Sequence, residues 1–414
     1  MSQLKGACIF GQSGGPTAVI NASASGVIQE ALKSDCITGV YGAAHGIKGM
    51  LKGEIFDMAK EDQQTLDLML TTPSSALGSV RYKLKSFEED EQDYIKILDL
   101  FKKHNIRYFF YNGGNDSMDT CSKISRYMEK SGYECRVMGV PKTIDNDLWG
   151  TDHCPGYGSA AKYIATSFME VNLDAKVYDT GMVTIIEVMG RNAGWLTAAS
   201  SLASTKGLGP DLIYLPEVPF RVEKFITDVR SIHEKTGKVI VAVSEGVRNQ
   251  DGVYVAKMNY SNLRVDSFGH TQLGGAGSFL AGIVKDTLDV KVRAIELSLL
   301  QRCAAHCASK VDVEESYMAG QMAVRYALEG YTGYMVGFER IPGPVYKCMA
   351  KLVEIKNVAN EEQLVPRDWI NEEGNGMNQP FLDYAAPLIL GESNIFGDDG
   401  LPRFANLRKY PASI

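Results

Sequence analysis

The chain has 414 residues, of which 45% are hydrophobic and 22% are charged, and its formal net charge is −7. This composition is ordinary for a soluble globular protein, and the length allows two or more domains with their own cores. The negative charge and the lack of a basic stretch argue against a nucleic-acid partner, and no apolar run reaches the length of a membrane span.

The predicted elements alternate between apolar strands and amphipathic helices along the chain. Strands are predicted at residues 7–10, 108–111, 182–187 and 239–243, and helices at about 18–32, 118–130 and 195–199. Repeated strand–glycine–helix units with continuously apolar strands predict an α/β fold in which helices cover both faces of a parallel sheet. Ligands bind to such sheets at the carboxyl ends of the strands.

The segment after the first predicted strand, residues 11–16, reads Gly-Gln-Ser-Gly-Gly-Pro. It lacks the Gly-x-Gly-x-x-Gly spacing of dinucleotide-binding proteins, which disfavours a nicotinamide cofactor and hence a dehydrogenase. Adjacent glycines let the backbone approach a phosphate group closely, although the segment alone is explained equally well as a sharp turn.

Two later segments carry the strongest chemical signal. In residues 108–117 an apolar strand breaks on two glycines, and a polar pair then opens a helix whose N-terminus favours an anion. Residues 141–147 place Lys142 close to Asp145 and Asp147 in one tight loop. A phosphate cradle beside a lysine and a carboxylate base indicates phosphoryl transfer. Taken by itself, the Asp-Asn-Asp sequence of the second segment indicates a polar turn or a set of cation ligands.

These segments resemble the motifs of a known family. Residues 113–117 (Gly-Gly-Asn-Asp-Ser) and 141–147 (Pro-Lys-Thr-Ile-Asp-Asn-Asp) resemble the two signature loops of the phosphofructokinases, and residues 184–191 resemble the third motif of that family. The three motifs follow the family order, and the similarity extends from about Gly6 to about Arg340. The chain is therefore identified as a member of the phosphofructokinase family.

The resemblance implies two Rossmann-like three-layer α/β/α domains of the phosphofructokinase fold. Residues 1–150, with a return segment at about 303–340, would form the domain that binds the phosphoryl donor. Residues 151–302 would form the domain that binds fructose 6-phosphate. Residues 341–414 would be a C-terminal extension, for which the sequence suggests no role.

The resemblance also implies catalytic roles for individual residues. Asp145 would be the general base that takes the proton from the 1-hydroxyl of fructose 6-phosphate, and Thr143 would position the transferred phosphoryl group. Arg81 would bridge the donor and acceptor phosphates, and Arg191 would bind the transferred phosphate, because a guanidinium group binds phosphate oxygens in pairs. Lys142 would neutralise charge on the leaving oxygen.

The donor is predicted from two positions. ATP-using members of the family carry glycine where this chain has Asp116 and Lys142, and pyrophosphate-using members carry aspartate and lysine there. A carboxylate at residue 116 would repel the α-phosphate of ATP, so pyrophosphate is the predicted donor. Gly14 and Ser117 would also bind the donor. Asp116 is a candidate helix N-cap as well.

The resemblance implies Mg²⁺ as the cofactor, with Asn115 and Asp147 as the metal-binding residues. Asn115 departs from the family pattern, in which most members have aspartate at this position. An amide oxygen can bind Mg²⁺ but adds no negative charge. We therefore expect the ion to depend mainly on the oxygens of the donor.

The sugar phosphate is assigned to a second group of residues. The resemblance implies substrate binding by Met189, Gly190, Glu245, Arg293 and Arg302, in addition to Thr143 and Arg191. Arg293 would bind the 6-phosphate, if necessary across a subunit interface, and Arg302 would bind the same phosphate or reach the reacting centre.

Two positions depart from the family pattern on the sugar side. Met182 replaces an arginine that many bacterial members use for the 6-phosphate, and Leu299 replaces a histidine or tyrosine. Residues 270–275 (His-Thr-Gln-Leu-Gly-Gly) are interpreted as a structural loop rather than as part of the site.

Eight cysteines are scattered along the chain without a Cys-x-x-Cys pair, which disfavours a zinc site. Cys303 and Cys307, with His306 between them, lie on a predicted helix and are interpreted as buried small residues rather than metal ligands. The first residues show no signal-peptide pattern, so we expect a cytoplasmic protein with reduced thiols.

The sequence thus predicts a reversible pyrophosphate-dependent phosphotransferase that acts on fructose 6-phosphate and forms a homodimer or homotetramer. One alternative is an ATP-dependent phosphofructokinase, which a glycine at residue 116 or 142 would favour. An alternative of another class is a non-catalytic regulator that binds sugar phosphates. Only the neutral Asn115 supports that alternative, whereas Asp145, Arg81 and Arg191 oppose it.

Overall fold

The structure, a computed structural model, describes residues 4–259, 275–358, 361–395, 397 and 399–412. The strands are β1 Gly6–Gln12, β2 Ile37–Ala43, β3 Ile55–Asp57, β4 Ile106–Gly113, β5 Arg136–Pro141, β6 Met182–Val188, β7 Leu212–Tyr214, β8 Lys238–Ser244, β9 Lys291–Glu296, β10 Tyr334–Arg340 and β11 Cys348–Glu354. The helices are α1 Ile20–Leu32, α2 Ile47–Lys52, α3 Gln63–Leu68, α4 Gln92–Lys103, α5 Asn115–Lys130, α6 Tyr157–Lys176, α7 Trp195–Ala199, α8 Val222–Thr236, α9 Ala276–Leu288, α10 Leu300–Cys303, α11 Lys310–Leu328, α12 Ile355–Val358 and α13 Gln379–Ala385.

Two sheets organise the described residues. The first has seven strands in the order β11-β10-β5-β4-β1-β2-β3, and the second has four strands in the order β7-β8-β6-β9. All neighbours in the second sheet are parallel, and the first sheet is parallel except at its two edges, where β3 and β11 run antiparallel to their neighbours. This arrangement confirms the predicted α/β fold with parallel sheets.

Side-chain alternation along the strands gives each sheet two covered faces. In β4, Phe109 and Tyr111 pack into one core cluster together with residues of α4 and α5. Their neighbours Tyr108 and Phe110 point into another cluster, which is shared with α1 and α11. Successive strand residues face opposite sides of a sheet, so a continuously apolar strand needs helices on both faces. The first sheet therefore forms the middle of three layers.

The second sheet is covered in the same way. Residues of β6 enter one cluster with α6, α7 and α13, and a second cluster with α8 and α9. Both sheets thus have the three-layer form expected from the sequence. The exact domain boundaries stay a prediction.

The predicted elements are found in the structure, with shifted ends. Helix α1 begins at Ile20 rather than at residue 18, and α5 begins at Asn115, three residues before the predicted start. The N-cap of α5 is Gly114, so the interpretation of Asp116 as a helix N-cap is wrong; Asp116 lies in the first turn.

The environment predicted for two cysteines is also wrong. Helix α10 ends at Cys303, and a separate 3₁₀ turn contains His306 and Cys307. Both cysteines are half-buried rather than buried. No helix within the described ranges combines the length and the apolar character needed to cross a membrane.

The chain beyond residue 341 packs against both sheets. Strand β11 extends the first sheet by pairing with β10 along its full length. Helix α13 contributes Phe381 and Ala385 to a core cluster of the second sheet. Near the end of the chain, Pro411 forms a bridge with Phe56 beside β3. The segment is therefore integrated into the fold, although its sequence shows little strand–helix rhythm.

Candidate active site

The site lies where three parallel strands end. Strands β1, β4 and β5 are neighbours in the first sheet, and the register pairs Gln12 with Asn112 and Gly113 with Pro141. Because the strands are parallel, the loops that follow them open at the same edge of the sheet. The glycine-rich loop at residues 13–16, the start of α5 and the loop at residues 142–147 are therefore brought together.

These loops line a cavity of about 590 Å³. The predicted site residues that line it are Gly14, Arg81, Asn115, Asp116, Ser117, Lys142, Thr143, Asp145, Asp147, Met189, Arg191 and Glu245. The lining residues that were not assigned from the sequence are Ser13, Gly15, Lys83, Gly114, Asn192, Ala193 and Glu362. The cavity thus combines loops of both sheets.

The start of α5 is built by close backbone approaches. A Cβ atom at Gly113 would come within 2.0 Å of Ser117 Oγ, so this position accepts no larger residue without rearrangement. Gly114 then caps the helix with extended backbone, and Asp116 occupies the first helical turn. The helix N-terminus carries partial positive charge, which stabilises the Asp116 carboxylate and would also attract a phosphate.

Lys142 lies against the glycine-rich loop. Its ammonium group is buried and donates a hydrogen bond of 2.7 Å to the carbonyl oxygen of Gly15. Burial lowers the pKa of Lys142 to about 8, and the nearby Asp145 carboxylate offsets part of that effect. The ammonium group is thus held at the floor of the cavity, where an incoming anion would stabilise its charge.

Three carboxylates, those of Asp145, Asp147 and Glu362, also line the cavity. Burial raises the pKa of Asp145, while Lys142 and Arg191 oppose that shift. Burial together with the negative charges of Asp145 and Glu362 raises the pKa of Asp147 to about 8. Carboxylates that disfavour one another's ionisation form a site that a cation would stabilise.

The loop after β6 contributes the far side of the cavity. The backbone N–H of Gly190 donates to Glu245 Oε1 at 3.3 Å, and the N–H of Met189 donates to Gln301 Oε1 at 3.2 Å. Burial raises the pKa of Glu245 to about 7. Arg191 lines the cavity, and its buried Nε atom has no hydrogen-bond partner among the described residues.

Arg302 lies next to the glycine-rich loop, although it does not line the cavity. A Cβ atom added to Gly15 would come within 3.0 Å of Arg302 Nη1. Burial and the charge of Arg81 lower the pKa of Arg302, and Arg302 in turn lowers the pKa of Lys142. Arg302 therefore belongs to the cationic group around the reacting centre.

Arg293 is not brought to this cavity. It lies on β9, at the edge of the second sheet, and lines a separate cavity of about 240 Å³ together with Met182 and Thr184. Its closest acidic neighbour is Asp174, with 3.9 Å between Arg293 Nη1 and Asp174 Oδ2. Within one copy of the chain, Arg293 thus stands apart from the other predicted site residues.

Sequence reasoning missed Glu362, because the segment that carries it has no recognisable motif. Glu362 accepts a hydrogen bond of 2.8 Å from Asn192, and Leu148 forms an antiparallel bridge with it. Ser13 and Gly15 could have been assigned from the sequence, since they lie in the glycine-rich loop at residues 11–16. Residues 270–274 of the predicted structural loop lie outside the described residues.

A second cluster of polar side chains has the residue types of a metal site, but its hydrogen bonds indicate a different role. The ligand atoms of His153, Glu315 and Cys348 lie within 4.8 Å of one another. Both ring nitrogens of His153 are already engaged, however, at 2.8 Å from Asp152 and 2.7 Å from Glu315. A doubly hydrogen-bonded imidazole has no free lone pair for a metal, so we interpret the cluster as a buried ion pair.

A cavity lined by lysine, arginine and carboxylate side chains, at the carboxyl ends of parallel strands, is typical of an α/β phosphotransferase. The phosphofructokinase family model matches residues 8–296. The pyrophosphate–fructose 6-phosphate 1-phosphotransferases of Halomonas elongata and Xanthomonas campestris are 43% and 44% identical to this chain. Each alignment covers 97% of this chain and 96% of the relative.

A solved structure agrees with these comparisons. The pyrophosphate-dependent phosphofructokinase of Marinobacter aquaeolei superposes with a TM-score of 0.89 at 40% identity, over 99% of this chain and 98% of that one. The chain belongs to the phosphofructokinase family.

Proposed function

We propose that the protein catalyses the reversible, Mg²⁺-dependent transfer of a phosphoryl group from pyrophosphate to the 1-hydroxyl of D-fructose 6-phosphate. The products are fructose 1,6-bisphosphate and phosphate. The observation that carries the proposal is that Asp116, Lys142 and Asp145 line one cavity. The names of the relatives in Halomonas and Xanthomonas support the same pair of substrates.

Pyrophosphate fits the donor side of the cavity. The glycines at residues 11–16 allow a phosphate group to approach the backbone closely, and the N-terminus of α5 attracts a second one. The Asp116 carboxylate, in the first turn of α5, would repel a third phosphate group at the position that ATP needs. Lys142 would neutralise the bridging oxygen as it leaves with the second phosphate.

Asp145 acts as the base in this proposal. Its carboxylate accepts the proton of the sugar 1-hydroxyl while that oxygen attacks the phosphorus atom, and the bond to the bridging oxygen breaks. Thr143 Oγ1 accepts a hydrogen bond of 3.1 Å from the N–H of Asp145, which fixes the turn that carries the base. The reverse reaction uses the same groups, and protonated Asp145 then returns the proton.

The arginines stabilise the charge that develops on the transferred phosphoryl group. Arg81 and Arg191 line the cavity from its two sides, and the guanidinium of Arg302 lies beyond Gly15. A planar guanidinium group can bind two phosphate oxygens at once, and its binding is strongest where water is excluded. Met189, Gly190 and Glu245 would orient the sugar.

The residues present fit a magnesium ion. Asn115 lines the cavity, and its buried Oδ1 atom accepts no hydrogen bond from any described residue. Such an oxygen is available as a ligand, and Mg²⁺ prefers oxygen ligands. Asn115 and Asp147 would hold the ion together with donor oxygens. The ion, when bound, supplies positive charge to the phosphate oxygens.

A homodimer or homotetramer is part of the proposal. Strand β9 is an edge strand whose residues are mostly exposed, and Leu299 and Leu300 beside it are 55% and 59% exposed. An edge strand with exposed apolar residues beside it favours a partner surface. A second copy at this edge would place its Arg293 near the 6-phosphate in the first copy. All eight cysteines are free thiols, as a reducing cytoplasm would keep them.

A coupled assay with purified protein, fructose 6-phosphate and Mg²⁺ tests the donor. We expect kcat/KM to be higher with pyrophosphate than with ATP by at least about tenfold, a difference of about 1.4 kcal/mol. Asp145→Asn serves as the control variant, because removing the base should lower kcat by about 10²- to 10⁴-fold while contaminating kinases would be unaffected. Equal turnover with ATP would refute the donor assignment, and no turnover with either donor would refute the proposed function.

A further inference from the structure

The turn that carries the proposed base is supported from behind by the C-terminal part of the chain. Asn146, between Asp145 and Asp147, is 1% exposed and has a positive φ of 57°. Its side-chain N–H donates a hydrogen bond of 2.7 Å to the hydroxyl oxygen of Tyr384 in α13, and that hydroxyl donates one of 2.8 Å to the carbonyl oxygen of Asp152. The Tyr384 hydroxyl thus joins both ends of the 146–152 segment.

The backbone conformation of Asn146 needs support from neighbouring residues. A non-glycine residue in the left-handed region is strained, although asparagine tolerates it better than most. The other end of its amide, Oδ1, accepts a hydrogen bond of 2.9 Å from the N–H of Cys154. Its two amide ends are therefore both used for anchoring, one of them by Tyr384.

Tyr384 is itself held in place by its ring. The ring lies 5.2 Å from that of Trp195 and 5.3 Å from that of Trp369, and the Arg340 guanidinium stacks 4.5 Å from its centre. These contacts involve the ring and not the hydroxyl. Removal of the hydroxyl alone therefore leaves the packing of α13 intact.

A second contact from the same part of the chain reaches the other end of the turn. The N–H of Gln363 donates to the carbonyl oxygen of Asp147 at 2.8 Å, and the carbonyl oxygen of Gln363 accepts from Trp195 Nε1 at 2.8 Å. The N–H of Val365 also donates to Glu217 Oε1 at 3.0 Å. The segment at residues 362–365 thus links the turn to α7 and to the segment after β7.

We infer that Tyr384 is a positioning residue, which acts through Asn146 to hold Asp145 and Asp147 in the reactive arrangement. The inference rests on the proposed function for its kinetic consequence, although the structural consequence is independent of it. A displacement of about 1 Å at a reacting group can cost up to about 10²-fold in rate. Substrate affinity depends on other groups and should change little.

The test is Tyr384→Phe, with Tyr133→Phe as the matched control. The Tyr133 hydroxyl also bonds to two backbone carbonyl oxygens, at 3.0 Å from Phe101 and 2.9 Å from Ile106, at the opposite end of β4. We expect Tyr384→Phe to lower kcat by about tenfold or more, with the KM values for pyrophosphate and fructose 6-phosphate within about twofold of wild type. Tyr133→Phe should leave kcat unchanged.

Amide hydrogen exchange of the peptide covering residues 142–154 gives an independent measure. It should become about tenfold faster in Tyr384→Phe and stay the same in Tyr133→Phe. Unchanged exchange in Tyr384→Phe, or an unchanged kcat in an active enzyme, would overturn the inference. A wild-type protein that is inactive with pyrophosphate would refute the proposed function instead, and the exchange measurement would still decide the role of Tyr384.

Discussion

Arg293 is a predicted substrate-binding residue that lies apart from the main cavity in one copy of the chain. Its side chain is 46% exposed and lies on an edge strand of the second sheet. An exposed guanidinium group contributes little to stability, since its ion pairs are screened by solvent. A role in binding the 6-phosphate therefore requires a second copy, whereas Arg302 can act within its own chain.

Mixing two impaired variants tests this requirement. Arg293→Gln should raise the KM for fructose 6-phosphate by roughly tenfold or more, because a charge-assisted contact contributes about 1.5–3 kcal/mol. Asp145→Asn should lower kcat by about 10²- to 10⁴-fold but keep Arg293. When the two chains are dissociated and reassociated together, the intact base of one and the intact arginine of the other should meet in one site. We expect activity at low fructose 6-phosphate to rise above that of either variant alone.

The control for this experiment is each variant put through the same treatment by itself. An unchanged activity after mixing would show that Arg293 does not act across an interface. A KM for fructose 6-phosphate that is normal in Arg293→Gln would remove the residue from sugar binding altogether.

At the scale of elements, the packing of α1 on α11 stands out because the two backbones are nearly in contact. A Cβ atom at Gly26 would come within 2.2 Å of the Tyr317 carbonyl oxygen, and one at Gly320 would come within 2.1 Å of the Ser23 carbonyl oxygen. Backbone atoms cannot move aside as a flexible side chain can. The two glycines therefore set the distance between the helices that cover one face of the first sheet.

Gly26→Ala should destabilise the protein despite the better helix propensity of alanine. Overpacking costs about 1–3 kcal/mol, which outweighs the gain of up to about 1 kcal/mol from propensity. Gly282→Ala in α9 is the matched control, because a Cβ atom there meets nothing within 4 Å. Urea unfolding should show lower stability for the first variant and equal or higher stability for the second. If both variants gained stability, the close approach of α1 and α11 would be wrong.

The elements were predictable from the sequence where their signals were local. The apolar runs and the glycines after them revealed the strands and the loops at residues 11–16 and 113–117, since periodicity and turn chemistry act over a few residues. The position of Glu362 and Tyr384 beside the 142–147 loop depends on the path of the whole chain. No local pattern encodes such contacts, which is why no role could be predicted for the residues after 341.

At the scale of the molecule, a buried ion-pair network connects the segment after the 142–147 loop to α11 and β10. Asp152 contacts His153 and also receives a hydrogen bond of 2.8 Å from Arg340 at the end of β10. His153 contacts Glu315 of α11, whose other oxygen accepts a hydrogen bond of 2.8 Å from Tyr346. The network thus links the segment that leads into α6 and the second sheet to α11 and to β10, a strand of the first sheet.

This network predicts a loss of stability at alkaline pH. Burial alone would lower the pKa of His153, but the hydrogen bonds to Asp152 and Glu315 outweigh it and raise the pKa to about 9. An unfolded histidine titrates near 6.5. The stabilisation is therefore complete below about pH 6.5 and is lost as the pH rises through about 9, by an amount on the order of 3 kcal/mol.

Urea unfolding of wild type and His153→Gln across this pH range measures the contribution of His153. The contributions of other titrating groups cancel in the difference between the two free energies of unfolding. The stability difference should shrink as the pH rises from about 6.5 to above 9. A difference that stays constant over that range would show that His153 is neutral in the folded protein.

The strand order of the first sheet has a consequence for how the protein is made. Strand β1, in the interior of this sheet, begins at Gly6, yet one edge is strand Cys348–Glu354, and the wall of the cavity includes Glu362. During synthesis the early segments leave the ribosome first and can fold only as far as the available partners allow. A nascent chain that has reached residue 340 holds the phosphate-binding loops but lacks Glu362 and the Tyr384 hydroxyl. Activity should therefore appear only after translation has passed these residues, so that prematurely terminated products stay inert.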